Sequence, residues 1–140
     1  MSRPTSFRLD DELLKRLETE SRAAAESVTS LVRSLLDEGL KIRQFPGVVY
    51  RSGPAGRRAA LVGGPDVWEV IRDLRCWPGR GMQRIECLAK ELGLPVSLVK
   101  LATEFYCAYP DEIDARIDAD ERAAQQIQRQ TLRREALLSS

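Results

Sequence analysis

Residues Thr5-Ser6-Phe7-Arg8-Leu9-Asp10-Asp11-Glu12-Leu13-Leu14 contain a change of period. Up to Leu9 the chain alternates, with Thr5, Phe7 and Leu9 on one face and Pro4, Ser6 and Arg8 on the other, the pattern of a half-buried strand. Beyond it the period is helical. Asp10 is placed to cap a helix, and Asp11 and Glu12 fall in the first turn, where carboxylates suit the helix dipole. Leu13, Leu14, Leu17, Ser21 and Ala24 then recur at helical spacing. Ser27 offers a second cap, opening a helix with Leu31, Val32, Leu35, Leu36 and Leu40 on one face and Gly39 near its end. Phe45-Pro46-Gly47 stops anything helical. Residues 1–43 therefore read as a first domain of strand, helix and helix.

So short a unit cannot bury its apolar face alone, and its strand has no partner within the segment. The simplest solution is two chains pairing these strands antiparallel with helices interlocked beneath, which makes the homodimer a condition of folding. The alternative is that the strand pairs with a hairpin further along the chain.

Residues 44–118 read as a second small domain. Val48 to Arg51 and Arg57 to Val62 are strand-like runs around Ser52-Gly53-Pro54-Ala55-Gly56, a hairpin signature. Helical stretches follow over Pro65 to about Arg75, Met82 to Leu92 and Val96 to about Tyr109, with Pro65 suited to a first helical position. Gly93-Leu94-Pro95 is a short helix-turn-helix connection. The expected core is Trp68, Ile71, Leu74, Ile85, Leu88, Leu92, Val99 and Phe105. Arg51, Arg57 and Arg58 either face DNA from a hairpin wing or face solvent. The helix from Val96 to Ala102 carries one positive charge and few polar groups, so a packing role suits it better than reading bases. Residues 119–140 form a polar tail of helix-forming composition, with Arg122, Arg129, Arg133 and Arg134 among glutamines. The expected fold class is mainly α with short β.

Composition narrows the function. There is no histidine, which removes the commonest general base and metal ligand, and no nucleophile motif or phosphate-binding loop appears. An enzyme, a cofactor and a metal are not expected. Cys76, Cys87 and Cys107 form no CxxC pair and read as small buried apolar residues. The net charge of +1 is low for a nucleic-acid binder, so any DNA contact must come from local arrangement. No apolar run reaches the roughly 18 residues of a membrane span, and the first residues lack the apolar stretch of a signal peptide. A cytoplasmic protein without a membrane partner is expected.

The pattern TSFRLDDELLKRLETES followed by SVTSLVRSLLDEGL resembles the ribbon-helix-helix repressors of the Arc/MetJ/CopG type over residues 3 to about 42. One departure is Glu26, where many members have glycine before the Ser-x-Thr/Ser turn. The resemblance implies paired strands in the major groove of double-stranded operator DNA, with Arg3, Ser6 and Arg8 as base-reading residues. Arg8 is suited to a bidentate contact with guanine. It also implies that the helix start at Ser27, Val28 and Thr29 receives a DNA phosphate. The order PGVVYRSGPAGRRAALVGGPDVWEVI, a helix pair and AYPDEIDARI is similar to a domain of prokaryotic type II antitoxins (VapB-like), including the hairpin rich in glycine and arginine and Tyr109-Pro110. Together the two resemblances imply an antitoxin that represses its own promoter as a dimer. It would neutralise a toxin, of the PIN-type ribonuclease class in similar pairs, through the second domain or the tail. Arg129, Arg133 and Arg134 are then the toxin-binding candidates. The alternatives are a ribbon-helix-helix repressor with no toxin partner and a module that binds only proteins.

Overall fold

The computed structural model describes residues 1–140. It is mainly helical, with six helices and one two-stranded antiparallel sheet. The chain divides into two compact units, Met1–Gln44 and Phe45–Ser140.

The first unit contains α1 (Asp11–Ala23) and α2 (Val28–Gln44). The Asp10 side chain accepts a hydrogen bond from the Leu13 N–H at 2.8 Å, satisfying one of the donors that every helix start leaves without a partner. Ser27 does the same for α2, its Oγ accepting from the Ser30 N–H at 3.1 Å. The helix junction explains how the chain manages without the glycine common in ribbon-helix-helix turns. The Glu26 N–H returns to the Ser21 carbonyl at 3.0 Å and the Ala25 N–H to the Arg22 carbonyl at 3.2 Å, the paired bonds of a Schellman ending. The left-handed residue of that motif is Ala25, at φ 51°, so the strained position lies one residue before Glu26. The buried Ser21 hydroxyl donates to the Glu26 carbonyl and ties the turn down.

In the second unit, β1 (Val48–Gly53) pairs with β2 (Gly56–Leu61) in a register running from Val48 opposite Leu61 to Gly53 opposite Gly56. Pro54 and Ala55 make the loop, with Pro54 supplying its fixed φ, and Gly56 takes a φ of 101° that disfavours side chains. The expected turn from Ser52 to Gly56 is thus shorter, since Ser52 and Gly53 are still paired. There follow α3 (Val67–Cys76), α4 (Gly81–Leu92), α5 (Val96–Ala108) and α6 (Pro110–Leu138). Gly93 ends α4 at φ 66°, and the Leu94 N–H returns to the Ala89 carbonyl at 2.9 Å, so the helix-turn-helix connection closes with the same ending as α1. Pro110 starts α6 where its missing N–H is not needed.

Every element of this unit contributes to one core. Val48, Ala59 and Leu61 come from the hairpin, Val67, Val70 and Ile71 from α3, Leu88 and Ala89 from α4, Val99, Ala102 and Phe105 from α5, and Ile113 and Ile117 from α6. Phe105 is fully buried and meets Phe45 edge to face, with ring centroids 5.4 Å apart, a favoured aromatic geometry. Of the expected core, Ile71, Leu88, Val99 and Phe105 are buried, Trp68, Leu74 and Ile85 pack at its edge, and Leu92 is exposed. The three cysteines are exposed rather than buried; each falls on the outer face of its helix.

Two of the hairpin arginines serve the fold. Arg58 forms an ion pair with Asp66, which is buried and also accepts from Trp68 Nε1 at 3.1 Å. Arg51 donates to the Gly64 carbonyl at 2.9 Å and the Leu61 carbonyl at 2.8 Å. These bonds fix the loop between β2 and α3. On the other side, Tyr50 Oη donates to Glu112 at 2.6 Å and Arg116 donates to the Ala55 and Arg57 carbonyls at 3.1 and 3.3 Å, joining α6 to the hairpin. Arg75 bonds to Asp114, holding that carboxyl below the usual aspartate range and raising its own guanidinium, while Tyr106 donates to the same carboxylate at 3.0 Å.

The boundary expected near residue 119 is absent from the backbone. α6 runs unbroken through it, and residues 110–138 are one helix whose first two turns belong to the core.

Two stability changes follow. Ala25→Gly should stabilise the protein by about 1 kcal/mol by removing the left-handed penalty of a side chain, read as a higher denaturation midpoint; an unchanged or lower midpoint would contradict the strain at Ala25. Asp66→Ala should cost on the order of 2 kcal/mol, because it strips a partly buried arginine and an indole N–H of their acceptor, measured by urea unfolding of the full chain.

Candidate functional site

Residues 1–10 form neither strand nor helix and are exposed throughout. Arg3, Ser6 and Arg8 are exposed with them, and so are the residues meant for an inner face, Phe7 at 77% and Leu9 at 44%. The sheet consists of β1 and β2 only, so the alternative pairing of this segment with the hairpin does not occur. The strand expected from Thr5 to Leu9 is therefore not present in the single chain.

At the start of α2, Ser27, Val28 and Thr29 are exposed together. Ser27 Oγ serves the Ser30 N–H, while the N–H groups of Val28 and Thr29 lie in the first turn, where no preceding helical carbonyl exists to accept them. The turn thus presents donors of the kind that bind phosphate. A carboxylate stands beside it: Glu26 accepts from the Ser30 hydroxyl at 2.6 Å. The acid adds a negative charge near the positive end of the helix.

The hairpin contributes less cationic surface than its sequence suggests. Arg51 and Arg58 are committed to the bonds described above, and Arg57 donates to Ser52 Oγ at 2.9 Å. The outward face of α5 carries Ser97, Lys100, Glu104 and Cys107, all exposed, so its single cation is offset by an anion.

The tail arginines are sorted by the helix. Every residue from Glu121 to Leu138 is exposed except the half-buried Thr131, a stretch that extends roughly 27 Å at 1.5 Å per residue. Arg129 and Arg133, four residues apart, share a face. Arg122, two turns before Arg129, joins them, whereas Arg134 is turned about 100° away. On this continuous helix Arg122, Arg129 and Arg133 lie along one face, and Arg134 lies off it. Ile127, Leu132, Leu137 and Leu138 are also uncovered, at 57–77% exposure.

No family model, curated protein or solved structure matches the chain. No helix is long and apolar enough to cross a membrane.

Proposed function

We propose that the protein is an antitoxin of a type II toxin–antitoxin pair, binding its own operator DNA as a homodimer through residues 1–44 and neutralising a toxin through α6. The observation that carries this reading is the burial pattern of the first unit. Among its 44 residues only Leu31 and Ser21 are buried, while Phe7, Leu9, Leu13, Leu14, Leu35, Leu36 and Leu40 are exposed. An apolar inventory of this kind on two helices and an alternating segment suits a second body, and a groove of about 540 Å³ lies open there, lined by Leu13, Leu17 and Leu35 together with Glu12, Lys15, Arg16, Thr19 and Glu20. A second copy satisfies both needs: its segment 3–9 completes a two-stranded ribbon, and its helices cover the leucines.

The ribbon then presents Ser6 and Arg8 outward, with Arg3 beside them, to the edges of base pairs in the major groove. The N–H groups at Val28 and Thr29 hold a backbone phosphate and set the register. The second unit anchors α6 through Ile113 and Ile117, leaving the Arg122–Arg129–Arg133 stripe free for an acidic toxin surface, such as the metal-binding carboxylates of a PIN-type ribonuclease. No metal or cofactor of the protein's own is required.

Two variants test the division of labour. Arg8→Ala should weaken operator binding by at least about tenfold, given roughly 1–3 kcal/mol for each bidentate base contact, in fluorescence anisotropy at fixed salt, with the dimer intact. Undiminished affinity would remove Arg8 from the interface. Deleting residues 119–140, which keeps Ile113 and Ile117 in the core, should spare operator binding and abolish rescue of cells co-expressing the toxin. Full rescue by the truncated chain would leave a repressor whose tail has no part in neutralisation.

A further inference from the structure

We draw no further inference here: the strongest candidate, the stretch of α6 beyond the core on which Ile127, Leu132, Leu137 and Leu138 stand exposed, carries nothing further, because its arginine-bearing face belongs to the site already described and nothing in the structure shows what covers its apolar residues.

Discussion

A 44-residue unit with one buried leucine is held short of a core by its size, and much of the molecule follows from that constraint. Its helices are well specified locally: Asp10 and Ser27 cap them, and the Schellman turn at Ala25 sets the chain direction between them. Capping and turn bonds of this kind contribute on the order of 1 kcal/mol each, enough to shape a segment but not to offset the backbone entropy of ordering it. Burial of the apolar area that the single chain leaves exposed would add the larger contribution. In the homodimer proposed above, association and folding of this unit would be one equilibrium, with an apparent stability that depends on protomer concentration.

The second unit solves the same problem internally. Its hairpin is a thin two-stranded layer that could not stand alone, but four helices cover it and Phe105 fills the centre. Arginine is used here as a fastener. Arg51, Arg58 and Arg116 each bond to backbone carbonyls or to the buried Asp66, adding side-chain ties to the hairpin and the loop that follows it.

The order of the elements from α1 to α5 was legible in the sequence because strong local signals bound them: Pro54 and Gly56 mark the hairpin, and Gly93 and Pro95 separate α4 from α5. The strand expected near the start of the chain is absent, and the start of α6 at Pro110 was not read as a helix start. The helix limits came within two residues of those observed for α3, α4 and α5. What escaped was everything set by pairing across the chain. The roles of Arg51 and Arg58 depend on Asp66 and on carbonyls that sequence cannot place. The exposure of the cysteines depends on which helix face meets the core. The supposed break at residue 119 followed a loss of apolar residues, yet a helix continues where its side chains favour it, whether or not it is packed. At the candidate DNA site the alternation of residues 3–9 suggested a strand, but a periodic pattern does not by itself supply ladder hydrogen bonds, and the structure shows no strand there.

The continuity of α6 gives the protein a mechanical property. Because Ile113 and Ile117 are seated in the core and no bend separates them from Arg133, the direction in which the arginine stripe points is geared to the core. Inserting one residue near Ala119 would rotate the whole stripe by about 100°. Inserting seven would restore its phase and carry it about 10 Å further from the core. The length of the tail is thus bound by a periodic rule even where its individual residues touch nothing.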